Sequence, residues 1–166
     1  MCGVVSVNFL PRESLMAFDC GVFELNEYLK IYAAQNDKKN VGKTFVLVDD
    51  NGAVKGFYTL ANAQISFSEL PKDVGKKLPR YPIPAIRIAR LAVDSRYKGV
   101  GVGATLLRDA LQKILRLAKE TGICFVVVDA KETSKTFYEH FGFLKLPERE
   151  LTYILSVGTL QKAKEI

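Results

Sequence analysis

Arg96-Tyr97-Lys98-Gly99-Val100-Gly101-Val102-Gly103 is the stretch on which the reading of the whole chain turns. Before it, Ile86 to Val93 is apolar and reads as a strand. After it, Leu106, Leu107, Ala110, Leu111, Ile114, Leu115 and Ala118 recur at helical spacing, and the helix should end at Gly122. Strand, glycine turn and helix form the layout of an oxyanion site. Glycines let backbone N–H groups approach an anion, and the helix N-terminus adds about half a positive charge. Two nucleotide motifs are excluded. Gly42-Lys43-Thr44 has Asp37 where a phosphate-binding loop of the Walker type needs glycine. Gly99, Gly101 and Gly103 give G-x-G-x-G, not the dinucleotide G-x-G-x-x-G. A plain glycine turn would look the same.

The strand before the turn has a fault in its alternation. Ile86 and Ile88 occupy even positions, Leu91 and Val93 odd ones. A phase slip near Ala89-Arg90 fits a β-bulge, which would splay this strand from its neighbour. An ordinary strand buried on both faces fits equally.

Working outward, Val4 to Phe9, Thr44 to Asp49 and Val54 to Ala63 read as three earlier strands, the last two joined at Asp50-Asn51-Gly52. Asn26 to Lys39 is helical, with Leu25, Leu29, Tyr32 and Ala33 on one face. Residues 66 to 84 hold Pro71, Pro79, Pro82 and Pro84 and read as a loop with one short helix. Ile123 to Val128 is an unbroken apolar run, the pattern of a buried parallel strand. Thr133 to Phe141 is a short helix, and Phe143 to Leu146 and Leu151 to Val157 close the sheet. The last nine residues are mostly polar and are expected to fray.

Composition bounds the function. The chain has 166 residues, so residues 1–166 are expected to form a single domain. Hydrophobic residues at 48% and charged residues at 25% are an ordinary globular balance. No apolar run suits a membrane span, and Met1 to Arg12 lacks the layout of a signal peptide. Cys2, Cys20 and Cys124 are an odd, scattered set, which fits a reducing cytoplasm rather than a disulfide framework. One histidine and no Cys-x-x-Cys pair argue against a metal site.

The net charge of +6 is concentrated. Between Lys72 and Lys98 stand eight basic residues (Lys72, Lys76, Lys77, Arg80, Arg87, Arg90, Arg96, Lys98) and two acids, Asp73 and Asp94. The rest of the chain is neutral. Such a stretch is a footprint for a polyanion, nucleic acid or a phosphorylated cofactor, against the plainer reading of a solvated face.

Phe137-Tyr138-Glu139-His140-Phe141-Gly142-Phe143 is the second stretch of interest. Phe137, Phe141 and Phe143 read as core, and Tyr138 alone carries a polar handle. His140, Glu132 and Glu139 read as solvated, and Cys124 as a buried small hydrophobe.

Arg96, Gly99 and Gly101, opening a helix after a strand, resemble the pyrophosphate loop of the GCN5-related N-acetyltransferases, the GNAT family. Phe137 to Phe143 resembles that family's aromatic run, some 40 residues on. The resemblance implies an α/β (α+β) fold with a mixed, mostly antiparallel sheet of six or seven strands. Its fourth and fifth strands would be parallel and splayed, with flanking helices. It implies acetyl-CoA as cosubstrate and no metal. Leu91, Ala92 and Val93 would take the pantetheine arm and the acetyl carbonyl. Arg96, Lys98, Gly99, Val100, Gly101, Val102, Gly103 and Ala104 would hold the diphosphate, and Tyr138 would protonate the leaving thiolate.

Further segments narrow the likeness: Phe18-Asp19-Cys20-Gly21, Leu25-Asn26 with Tyr28-Leu29, Thr44-Phe45-Val46, Phe57-Tyr58-Thr59-Leu60, Pro82-Ile83-Pro84 and Ala89 to Asp94. They resemble the GNAT toxins of type II toxin–antitoxin systems, the TacT group. That likeness implies acetylation of the amino acid on aminoacyl-tRNA, a block of translation, a small DNA-binding antitoxin and a homodimer. Lys76, Lys77, Arg80, Arg87 and Arg90 would then contact the tRNA. Many such toxins have Arg where this chain has Lys43, which would make a phosphate contact there less directional.

Residue chemistry bears on the substrate. At pH 7 a lysine amine is roughly 0.04% neutral and an α-amine near pKa 8 roughly 10% neutral. Ile86 to Val93 holds no carboxylate, Asp94 reads as a turn cap, and Glu69 remains a possible base. A site without an obvious base suits an already acidic amine. The alternatives are a metabolic or protein N-acetyltransferase acting on a small amine or peptide amine, and a non-enzymatic RNA-binding module.

Overall fold

The computed structural model describes residues 3–164. Cys2 therefore lies outside the described residues; Cys20 and Cys124 are free thiols. Among the described residues, seven strands form one sheet in the order β1-β2-β3-β4-β5-β7-β6. The strands are β1 (Gly3–Ser6), β2 (Lys43–Val48), β3 (Val54–Ile65), β4 (Ile83–Val93), β5 (Phe125–Asp129), β6 (Leu144–Lys145) and β7 (Thr152–Ser156). The helices are α1 (Arg12–Leu15), α2 (Phe23–Glu27), α3 (Ala33–Lys38), α4 (Lys72–Gly75), α5 (Val102–Leu117), α6 (Lys135–His140) and α7 (Val157–Lys164). A π-helical turn, Tyr28–Tyr32, joins α2 to α3. No described helix is long and apolar enough to cross a membrane.

The described residues group into two compact units. The first runs to Ala61 and adds Ala89–Gln112. Its antiparallel β1–β2–β3 ladder turns at Asp49, whose carboxylate accepts from the N–H groups of Asn51 and Ala53. Gly52 supplies the positive φ of 82° that this turn requires. β3 then presents two faces by simple alternation. Phe57 meets the rings of Phe18 and Tyr28, within a core that includes Leu15, Leu29, Val46 and Ala92. Tyr58 points to the other face, where its hydroxyl donates to Asp109 of α5.

The second unit comprises Asn62–Ile88 and the chain from Lys113 onward. β5 is buried at Phe125, Val126, Val127 and Val128, as an unbroken apolar run demands when strands pair on both sides. It pairs in parallel with β4, from Ala85–Phe125 to Ile88–Val128, and antiparallel with β7. Ile65, Leu70, Ile83, Leu146 and Ile154 pack into the same core.

Several expectations change. The first strand stops at Ser6, whose side chain caps a single 3-10 turn, Val7–Phe9. β4 begins at Ile83, inside the expected loop, because Cys124 donates its N–H to the Pro84 carbonyl and draws that segment toward β5. Burial does not change phase at Ala89–Arg90: Ile86, Ile88 and Ala92 are buried, while Leu91 and Val93 are half-buried. The parallel pairs of β4 with β5 end at Ile88–Val128. α5 ends at Leu117, before Gly122. Residues 157–164 form α7 rather than fraying; Val157 is buried and donates its N–H to the Cys124 carbonyl.

Candidate active site

In the first unit, the glycine turn is built from its flanks inward. Asp94 ends β4 and caps the 3-10 turn Ser95–Tyr97, accepting from the Arg96 N–H at 2.9 Å. Its carboxylate also takes Arg96 Nε at 2.9 Å, Arg96 Nη2 at 3.3 Å and the Asp19 N–H at 3.1 Å. Burial alone would push the Asp94 carboxyl up. The side-chain and backbone hydrogen bonds from Arg96, with that from Asp19, outweigh burial and hold it below its ordinary value. The Arg96 guanidinium is thereby aimed from one side, and its own pKa rises through the bond to Asp94. Lys98 donates its ammonium to the Cys20 carbonyl at 2.8 Å.

Gly99 and Gly101 follow with φ of 77° and 89°, and no heavy atom lies within 4 Å of where a Cβ would stand on either. The positive φ accounts for glycine there. The open space beside both residues accounts for what the turn can admit. The Gly101 carbonyl accepts from the Thr105 N–H at 3.1 Å and closes the first turn of α5. The N–H groups that open the helix therefore face outward without intrahelical partners. Val102 is buried and Val100 is 72% exposed, so these two contribute backbone rather than side chains. Two placed cations, an open turn and a helix N-terminus are groups that could hold a diphosphate. Upstream, Leu91, Ala92 and Val93 carry backbone groups beyond the β5 ladder, where an extended arm could pair with them.

In the second unit, the aromatic run is a helix terminus of the Schellman type. Gly142 takes φ of 91°. Its N–H returns to the Glu139 carbonyl, and the Phe143 N–H to the Tyr138 carbonyl. The Phe143 ring stands edge-on to Tyr138 at 5.5 Å, the apolar contact that accompanies this cap. Phe137 meets Tyr138 from the other side at 5.1 Å. Tyr138 is thus the buried ring of α6, while Phe137 and Phe141 are only half-buried, which corrects their assignment to the core; Phe143 is buried as expected. Burial pushes the Tyr138 phenol up to about 12. His140 is exposed. Glu132 pairs with Lys135, and Glu139 accepts from Tyr153 at 3.4 Å. Cys124 is half-buried rather than buried, and desolvation raises its thiol pKa.

The basic segment divides by partner. Lys76 and Lys77 are exposed, and Arg80 is exposed beside the Phe67 ring. Arg87 is ion-paired with Asp129, which also accepts from Thr152 at 2.8 Å. Arg90 lies over the Tyr28 ring at 3.7 Å, a cation–π contact that the sequence reading missed. Lys43 spends its donors within the chain, on the Asp37 carbonyl (2.8 Å), Asp37 Oδ1 (3.3 Å) and Asn40 Oδ1 (2.9 Å). It is a clasp on the end of α3. Glu69 is paired with Arg149 at 2.9 Å and closes a capping box with Ser66. The clasp Asp19–Asn26 beneath Cys20 was also missed. Its signal is Asp19 followed by Gly21, a turn pair.

A model of the acetyltransferase (GNAT) domain matches residues 19–152. The chain belongs to the GNAT family. It is an N-acetyltransferase, and a structural neighbour, AtaTR, was solved bound with AcCoA. The open glycine turn and the cations beside it fit a donor of that kind. Among curated GNAT relatives, a probable toxin TacT of Sinorhizobium fredii is 32% identical over 160 residues, 90% of this chain and 88% of that one. A tRNA-acetylating toxin of Mycobacterium tuberculosis is 33% identical over 144 residues, covering 86% of each chain. The solved structure of AtaT complexed with acetyl-methionyl-tRNAfMet superposes with a TM-score of 0.91 at 27% identity, over 99% of both chains.

Proposed function

We propose that this GNAT enzyme acetylates the α-amine of aminoacyl-tRNA and so blocks translation, acting as the toxin of a toxin–antitoxin pair. The observation that carries the reading is the 33% identity, across 86% of the chain, to a protein named a tRNA-acetylating toxin. Its partners are charged tRNA, a small DNA-binding antitoxin and a second copy of the chain, in the cytoplasm. Residues 1–166 act as one domain; the family match spans residues of both compact units, which supports this.

Acetyl-CoA supplies a thioester carbonyl open to attack by an amine. The nitrogen bonds to that carbon, the C–S bond breaks, and the amine's proton goes to water. Arg96, Lys98 and the N–H groups from Gly99 to Ala104 hold the diphosphate. Backbone groups of Leu91, Ala92 and Val93 hold the arm and polarise the carbonyl. Tyr138, kept protonated by a pKa of about 12, donates to the departing sulfur and is reprotonated from solvent. Lys76, Lys77, Arg80, Arg87 and Arg90 meet tRNA phosphates, Arg87 from beside Asp129 and Arg90 from over the Tyr28 ring.

The want of a base in β4 supports the choice of amine. Ile83–Val93 carries no carboxylate, Asp94 is closed by Arg96, and Glu69 is held by Arg149. A lysine amine would need deprotonation, whereas an α-amine near pKa 8 is already partly neutral. The test is incubation with labelled acetyl-CoA and either charged tRNA, uncharged tRNA or a lysine peptide. Label is expected on charged tRNA alone and should leave as N-acetyl amino acid on mild alkaline hydrolysis of the ester. Label on the peptide and none on charged tRNA would make this a protein acetyltransferase.

A further inference from the structure

Gly56 sits on β3, buried, two residues before Tyr58 and on the same face. Its surroundings leave no room for a side chain. A Cβ at Gly56 would stand 2.7 Å from the Ala92 carbonyl oxygen and 2.7 Å from Leu106 Cδ1, with Val102 Cγ1 at 3.4 Å. No positive φ accounts for this glycine, so space alone does. The two closest neighbours belong to different segments. Ala92 lies in the stretch of β4 assigned to the pantetheine arm, and Leu106 and Val102 open the helix assigned to the diphosphate. The Ala92 oxygen is backbone and cannot turn aside, and Leu106 is fully buried.

We propose that Gly56 is the spacer of the acetyl-CoA site, a positioning residue that sets the separation of the β4 segment from the first turn of α5. The proposal rests on the placement of the cofactor given above. The physical reason is that acetyl-CoA is a linked ligand. Once the diphosphate is held, docking of the arm is intramolecular, and its gain depends on the span of the two subsites matching the span of the molecule. A methyl group at Gly56 moves one segment away from the other while leaving each intact. Misplacement of the thioester then also lowers the rate.

The test compares wild type and Gly56→Ala by calorimetry with intact CoA and with 3′-phospho-ADP, the nucleotide half without the arm. The variant is expected to bind 3′-phospho-ADP within about twofold of wild type and CoA at least tenfold more weakly. KM for acetyl-CoA should rise more than kcat falls. Equal CoA affinity in the two proteins overturns the proposal. So does an equal loss for CoA and 3′-phospho-ADP, which would mean that the glycine turn itself is damaged. Gly101→Asp separates this from failure of the cofactor placement: if that variant binds 3′-phospho-ADP as wild type does, the placement is wrong whatever Gly56 does. Should Gly56→Ala fail to fold, Leu106→Val opens the same contact instead of closing it. It is expected to show the same split between CoA and fragment, and absence of the split overturns the spacer.

Discussion

Asp94 holds Arg96 at three points: Oδ1 accepts from the Arg96 backbone N–H and from Nε, each at 2.9 Å, and Oδ2 accepts from Nη2 at 3.3 Å. The carboxylate is almost fully buried, while the guanidinium remains 58% exposed and able to meet a second anion. A buried acid thus orients an exposed cation at the entrance of the glycine turn, and this gives the first prediction.

Asp94→Asn removes one of two acceptor oxygens and the charge that aims Arg96. The variant is expected to lose about 1–3 kcal/mol of stability, since buried donors lose a charged partner. Acetyl-CoA affinity should fall several-fold. The carboxyl is held below its ordinary value of 3.8 in the folded state, so its contribution is present above 3.8 and is lost as pH falls through the lower folded value. Wild type and variant melting temperatures should therefore converge in that acid window. Parallel curves there would show that Asp94 is not the titrating group.

Tyr138→Phe keeps the contacts with Phe137 and Phe143 and removes the phenolic proton. Fold and CoA affinity should survive, and turnover should fall about 10²- to 10⁴-fold. With the phenol pushed up to about 12, the wild-type rate should show no basic limb from this group below its ordinary value of 10. Burial favours the neutral phenol, so its contribution to stability is present below 10 and is lost as pH rises toward 12. A basic limb near neutrality that disappears in Tyr138→Phe would contradict this.

Gly101→Asp places a carboxylate in the open space of the turn, at a φ of 89°. It is expected to abolish acetyl-CoA binding by repelling the diphosphate; no atom lies within 4 Å of the new Cβ, so the loss of stability should be limited to the backbone strain of a side chain at positive φ, about 1–2 kcal/mol. Gly101→Ala carries the same backbone strain without the charge and should bind measurably. Calorimetry on both variants separates strain from charge; equal losses would assign the effect to strain.

Replacing Lys76, Lys77 and Arg80 together by Ala should weaken tRNA binding and flatten its salt dependence. The expected change in slope is about two to three units, because each phosphate that is no longer neutralised keeps its counterion and removes close to one unit. CoA affinity should not change. The measurement is tRNA affinity across a salt series, and equal slopes would make these three exposed residues ordinary surface charge.

The elements were legible where one period dominated. α5 could be read from Leu106 to Leu115 because six apolar residues on one helical face end up buried. β5 could be read because strands pair on both its edges and its apolar run is unbroken. The glycine turn and the Schellman end of α6 could also be read, since glycine at positive φ is a local requirement. Local signals failed where the reason lay in a distant segment. Ile83–Ala85 joins β4 and residues 157–164 form a helix because Cys124 bonds to chain far from it in sequence. Tyr138 rather than Phe137 is the buried ring because the cap turns Phe143 back onto it.

The sequence by itself determined the chemistry on offer: a glycine turn opening a helix, cations beside it, one phenol in an aromatic run and a localised basic stretch. Those follow from residue identity and short-range periodicity, which need no third dimension. Only the tertiary structure decided which charged side chains have partners within the chain. Arg87, Arg90, Lys43 and Glu69 looked as free as Lys76 and Lys77 in the sequence, yet each, like Arg96 and Lys98, contacts another residue of the chain. Only the tertiary structure showed that Gly56 is pressed between Ala92 and Leu106. Pairing and contact are set by distances through space, and residues 36 and 50 positions away from Gly56 in sequence reach it only when the strands and α5 have packed.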